Sequence, residues 1–245
     1  MNDLYIFRGH GNGDVGACGG GLTEEHVANV LTQKVVGYLK SKGVQVQTNT
    51  LHENNYEVNI ATENNLHYGI TIHMNSSSNP ASGIECFVPL NEKYFNIEVE
   101  ILKNISQLLG IPNRGIKSRD YNTENVFFRI NGEPLSGTDY YKEIRDGWRK
   151  GISSTILEVG FMNSNDVHKV LQNCEEISII IANAILREMG KELILHSQPV
   201  PETPTPPTNT KFYQVVTGSF SSKENAENRV KELKSKGFDS FIQQK

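Results

Sequence analysis

Short apolar runs alternate with helix-patterned stretches along most of this chain, and that alternation constrains the fold more than any other feature. Strand-like LYIF precedes a helical pattern from Glu24 to Ser41, followed by strand-like VQVQT, YGITIH and IECFV. A helix near Asn96 to Leu109, strand-like TILEVGF and a helix from Asn165 towards Met189 complete the series. This order predicts an α/β layer fold, a mostly parallel sheet flanked by helices. In such sheets functional loops gather at the carboxyl ends of strands. The rule selects residues: the first run ends at Gly9-His10, the run Gly69 to Ile72 ends at His73, and the run Thr155 to Val159 carries Glu158 near its end. Two imidazoles and a carboxylate can therefore meet on one edge of the sheet.

Between the first strand and the first helix, seven glycines fall from Gly9 to Gly21, a density whose backbone entropy cost needs compensation. A glycine-rich loop could cradle phosphate, but no GxxxxGK[ST] pattern is present. The loop is instead bracketed by His10 and by Glu24 and Glu25. Helix phase decides between the two glutamates. At about 100° per residue, Val27, Ala28, Leu31, Val35 and Tyr38 share an apolar face that includes Glu24, whereas Glu25 is rotated to its flank. A charge pointed inward needs a partner, and a cation at the sheet edge is the natural one. Glu25 is expected to contribute little.

Zinc hydrolase sites take three protein ligands, leave a position for water whose pKa falls to about 7, and use a separate carboxylate to handle protons. His10, Glu24 and His73 with Glu158 would supply that set. The remaining histidines, His26, His52, His67, His168 and His196, read as surface or packing residues.

GHGNGDVGA followed by GLTE, then ITIHMN, then ILEVGFMNSND, in this order and at these intervals, resembles the zinc-dependent N-acetylmuramoyl-L-alanine amidases of the Amidase_3 type, over Asp3 to about Leu195. The resemblance implies zinc bound by His10, Glu24 and His73, with Glu158, before Val-Gly-Phe, as the catalytic glutamate. It implies cleavage of the amide between N-acetylmuramic acid and the L-alanine of a stem peptide, with bacterial peptidoglycan as the partner. A zinc peptidase acting within the stem peptide, or a wall-binding protein with decayed catalysis, are the alternatives. The chain departs from the pattern after NRGIKSRD: more than thirty residues, rich in aromatics (Phe127, Phe128, Tyr140, Tyr141 and Trp148), precede the glutamate strand. Such an insertion could line a glycan or peptide cleft, or merely pack itself down.

A Pro/Thr-rich stretch, 196–210, holds five of the nine prolines and reads as a semi-rigid linker of about 45 Å reach. It divides a catalytic domain, 1–195, from a tail, 211–245, patterned strand, helix, strand. Ser221 with Glu224 forms a capping-box pattern, and Ala226, Val230 and Leu233 make one apolar stripe. The tail, in YQVVTGSF and AENRVKELKSKGF, resembles part of the SPOR peptidoglycan-binding modules, which recognise glycan stripped of stem peptides. A 35-residue unit buries little apolar surface, so completion by a second copy in a homodimer is expected.

The net charge of -4 gives no reason to expect nucleic acid or an anionic membrane as partner. Three widely spaced cysteines, none in CxxC, argue against a disulfide scaffold or a thiolate zinc site. MNDLYIFRGHG lacks a basic region followed by a long apolar one, so the expectation is synthesis in the cytoplasm without a signal peptide and action on the wall after lysis or release through a pore, as a phage lysin or an autolysin.

Overall fold

The computed structural model describes residues 3–49, 66–195 and 222–235. The chain divides into two compact units, Met1–Thr203 and Pro204–Lys245. Among the described residues of the first, seven strands form one sheet: β1 (Asp3–Arg8), β4 (Gln45–Gln47), β5 (Leu66–Asn75), β6 (Ile84–Phe87), β7 (Asn113–Arg119), β8 (Val126–Phe128) and β9 (Ser153–Phe161). Their order is β4-β1-β5-β9-β6-β7-β8. A small antiparallel ribbon, β2 (Cys18–Gly19) with β3 (Leu22–Thr23), lies in the glycine loop.

The pairs β4-β1, β1-β5, β5-β9 and β6-β7 are parallel, whereas β9-β6 and β7-β8 are antiparallel. The sheet is thus mostly parallel, as the alternation predicts. The exception has a physical cause: β5 and β6 are joined by the loop 76–83 with no helix, and a short connection returns the chain in the opposite direction.

One face of the sheet is covered by α1 (Glu24–Ser41), α2 (Asn96–Leu109), α4 (Asp166–Gln172) and α5 (Cys174–Glu188). The helix α1 starts where the sequence places it because the Thr23 hydroxyl accepts the His26 N–H at 3.3 Å, capping one orphan donor. It buries Val27, Ala28, Leu31 and Val35 against Leu4, Ile6, Ile70 and Ile72 of the central strands, each of the valines, leucines and isoleucines contributing about 1.5–3 kcal/mol if fully buried. The single helix expected from Asn165 to Met189 is two. Asn173, at φ -114 and ψ 23, leaves helical geometry, and its side-chain amide donates to the Lys169 carbonyl.

The other face carries the insertion. There α3 (Lys142–Arg149) packs on β9, placing Ile144 with Phe87, Ile156 and Tyr141. Gly147 permits the close approach, since a Cβ there would fall 2.0 Å from Ser154 Oγ. Arg129 is buried and clamps the insertion to the β6–α2 loop: Nη1 donates to the carbonyls of Pro89 and Leu90 and to Ser118 Oγ, and Nη2 to the carbonyls of Glu92 and Glu133. Asp120 accepts from Thr123 and from the Thr138 N–H. The aromatics divide accordingly: Tyr141 packs inward, while Phe128 and Tyr121 stand exposed.

In the second unit the described segment is a helix, α6 (Lys223–Ser235), in which Ala226, Val230 and Leu233 are more covered than most of their neighbours. The expected cap Ser221, both flanking strands, the linker and any pairing of half-modules lie outside the described residues. No helix among the described residues is long and apolar enough to cross a membrane.

Candidate metal centre

His10 follows β1 at φ 63, Glu24 opens α1, and His73 lies near the end of β5, so three elements deliver them to one sheet edge. One donor atom from each lies within 4.8 Å of the others. Glu24 Oε1 sits 3.0 Å from His10 Nε2 and 2.9 Å from His73 Nδ1, and it also accepts the Met74 N–H at 3.1 Å. Glu24 Oε2 accepts the Ala17 N–H at 3.0 Å, and Asp14 Oδ2 holds His10 Nδ1 at 2.9 Å, orienting that ring.

The glycine loop makes this convergence possible. Gly16 has φ 66, and a Cβ there would lie 2.6 Å from His10 Cδ2 and 2.7 Å from Glu24 Oε2. The backbone must pass that close for His10 to face the helix N-terminus. GNGDVG has dinucleotide-fingerprint spacing, but Gly16 is occupied with the two site residues and a ribbon, not a helix, follows.

Glu24 is 4% exposed, as its phase predicts. Burial alone would raise its pKa, yet the hydrogen bonds from His10 and His73 hold it well below the usual carboxylate range. For His73 burial would lower the pKa, but Glu24, Glu158 and Glu143 push it up to about 9. A place that favours a proton so strongly favours a metal cation in the same position. Imidazole and carboxylate donors in a set of three are those zinc takes, and the residues therefore fit that ion.

Glu158 pairs in register with His73 across β5-β9 and with Glu85 across β9-β6. Its Oε2 is buried with no hydrogen-bond partner among the described residues. Burial pushes its pKa up to about 7, with Glu24, Glu85 and Glu143 adding to the rise and His73 opposing it. A carboxyl held near neutrality can both take and return a proton.

The sequence reading missed one acidic neighbour. Glu143, on α3, is buried; its Oε1 has no hydrogen-bond partner among the described residues, lies 4.0 Å from His73 Nε2, and its pKa is raised by burial. Helix phase marks it as it marks Glu24: in KEIRDGWR the glutamate shares the inward side of the helix with Ile144 and Gly147. Glu25 is also not idle, since its Oε1 pairs with Nη1 of the fully buried Arg8 at 3.2 Å. Cys18 is exposed and free. His26, His67 and His168 are exposed, and His52 and His196 lie outside the described residues.

A mostly parallel α/β sheet with a candidate metal centre at its carboxyl edge is the class that fold and geometry define. The chain belongs to the N-acetylmuramoyl-L-alanine amidase family, Amidase_3, whose family model matches residues 4–190, and the SPOR domain model matches 184–244. It is 29% identical over 128 residues to the uncharacterized protein YqiI of Bacillus subtilis, an alignment spanning 48% of this chain and 61% of YqiI. The fold is similar to N-acetylmuramoyl-L-alanine amidase AmiC2 of Nostoc punctiforme, with TM-score 0.57, 23% identity, and coverage of 78% of this chain and 98% of that one. It is likewise similar to Cwp6 from Clostridium difficile, with TM-score 0.57 and 20% identity, covering 77% of this chain but only 29% of that one. The chain thus spans less than two thirds of YqiI and less than a third of Cwp6.

Proposed function

We propose that this chain is a zinc-dependent peptidoglycan hydrolase cleaving the amide between N-acetylmuramic acid and L-alanine, with His10, Glu24 and His73 as ligands and Glu158 as the proton carrier. The observation that carries the reading is the meeting of the three donors within 4.8 Å, with Glu158 opposite His73 on the next strand. Zinc in such a set supplies Lewis acidity and a water activated at neutral pH. Glu158 takes a proton at its carboxylate and returns it to the departing alanine nitrogen. Glu24 and Asp14 hold the two imidazoles in place, and Met74 and Ala17 N–H groups hold Glu24. Exposed Cys18 takes no part, as no acyl-enzyme is needed.

Metal analysis and product masses test the reading together. The purified chain should hold one zinc per molecule and release free stem peptide beginning with L-alanine from bacterial walls. Shortened peptides would instead make it a peptidase, and wall binding with no product would make it a binder. The SPOR match supports a further role for the tail, docking on glycan already stripped of peptide. Removal of 204–245 should then slow digestion of intact walls more than hydrolysis of soluble muramyl-peptides, and equal slowing of both would sink that role.

A further inference from the structure

The sheet face that carries His73 and Glu158 continues past them as a built surface. Glu158 faces Glu85 on β6, Phe87 faces Lys117 on β7, and Lys117 faces Phe128 on β8. Residues opposite one another on paired strands share a face, so these side chains form one row leading away from the proton carrier. Glu85 is buried and accepts from Arg114 Nε at 2.5 Å, Lys117 Nζ at 2.7 Å and Asn75 Nδ2 at 2.9 Å. Two cations on one carboxylate leave the row positive. Arg119 adds to it: its Nε is buried without a hydrogen-bond partner among the described residues, its guanidinium lies 3.6 Å over the Tyr140 ring, and its partner Glu124 is too exposed to neutralise it fully. At the far end Phe128 is 68% exposed, with the Lys117 ammonium 5.3 Å from its ring centre. An exposed aromatic beside cations on the strand that ends the sheet among the described residues is an apolar platform within reach of an anionic partner.

We propose that this row is the subsite for the stem peptide: Arg114, Lys117 and Arg119 receive a stem-peptide carboxylate, and Phe128 supports the residues beyond it. The proposal rests on the amidase reading above. Charge complementarity selects the peptide, because the glycan is uncharged once its lactyl carboxyl is in the amide, whereas a peptide with free carboxylates is anionic. Distance agrees. Strands lie about 4.8 Å apart and an extended peptide advances about 3.3 Å per residue, so Phe128, three strands from Glu158, lies roughly four residues beyond the cut.

The test uses the purified full chain with zinc and synthetic muramyl-peptides having two-residue or five-residue stems, with free or amidated carboxylates. In the native protein, kcat/KM should be about tenfold higher for the long acidic stem than for the short one, a preference of about one charge-assisted contact. Phe128→Ala and Arg119→Gln should each remove most of that ratio, chiefly through KM, and amidation should do the same to the native protein while changing Arg119→Gln little. Thermal melting checks that the variants remain folded, and the amidated substrates probe the row without any substitution. A ratio untouched by both variants overturns the proposal, as does activity that follows the number of sugars rather than stem residues, which would put glycan on the row. If the native protein releases no stem peptide from any substrate, the amidase reading falls and the subsite with it; normal release with an unaltered ratio removes the subsite alone.

Discussion

The two flanks of β9 reach the same site by different routes. On one, His10, Glu24 and His73 come from elements whose ends are fixed by short-range signals: a glycine loop, a threonine cap and the last residues of a strand. On the other, Glu85, Lys117 and Glu143 are placed by strand register and by an insertion pinned through Arg129. The first flank is assembled by local geometry around ligands, the second by long-range hydrogen bonds around a surface. Substitutions should therefore separate metal binding from the rest of the chemistry.

The largest effect is expected where the flanks meet. Glu158→Gln should lower kcat by roughly 10²- to 10⁴-fold, the usual weight of a proton-transfer group, while retaining zinc. Glu24→Gln should lose the zinc itself. Metal analysis of the two purified variants beside their rates checks this, and loss of zinc from Glu158→Gln would mean that β9 belongs to the ligand flank.

Next comes the clamp. Arg129→Met strands the carbonyls of Glu92 and Glu133, whereas Pro89 keeps the Glu92 N–H and Leu90 the Leu135 N–H. It should cost about 3 kcal/mol, because each orphaned buried acceptor carries a desolvation penalty. Urea unfolding measures the loss. Zinc affinity at low temperature should change little, since none of the ligands touches Arg129; a parallel fall in zinc affinity would show that the flanks are not independent.

A paired substitution sharpens the account of the ligand flank. Gly16→Ala and Gly21→Ala both force alanine into left-handed backbone, φ 66 and 77, at a cost of about 1–2 kcal/mol each. Only at Gly16 would the new methyl press on His10 and Glu24, whereas nothing lies within 4 Å of it at Gly21. Zinc titration should find weaker binding in the first and near-native binding in the second. Equal weakening would assign the role of the glycines to loop flexibility rather than close approach.

What the sequence made legible follows the same division. Helix phase was enough to separate Glu24 from Glu25, and strand ends were enough to bring His10, His73 and Glu158 to one edge, because both arguments need only a few neighbouring residues. The antiparallel β6 and the break at Asn173 depend on what packs across the sheet, which no local spacing records; for Glu143, helix phase marks the inward side but not that this side meets His73. Arg129 shows the limit most clearly: in VFFRINGE it looks like a surface charge, and only the fold supplies the carbonyls of Pro89, Leu90 and Glu92, from one distant loop, for it to bind. The insertion's aromatics could not be sorted for the same reason, since Tyr141 and Phe128 differ in partners rather than in pattern.

The smallest expected effect tests the residue that phase set aside. Glu25 lies on the flank of α1, yet its Oε1 meets Nη1 of Arg8, a side chain with no exposure, and that same Nη1 donates to the His10 carbonyl at 2.6 Å. Arg8 thus ties the turn that presents His10 to the start of the helix that presents Glu24. Glu25→Gln keeps an acceptor oxygen but removes the charge opposite a buried guanidinium, so about 1 kcal/mol of stability should be lost. The bond to the His10 carbonyl does not involve Glu25 and should survive, leaving zinc affinity within about twofold, or less than ~0.5 kcal/mol. Urea unfolding and zinc competition titration on the same preparation read the two quantities. A large fall in zinc affinity with little loss of stability would reverse the assignment, making the Arg8–Glu25 pair part of the metal centre rather than its scaffold.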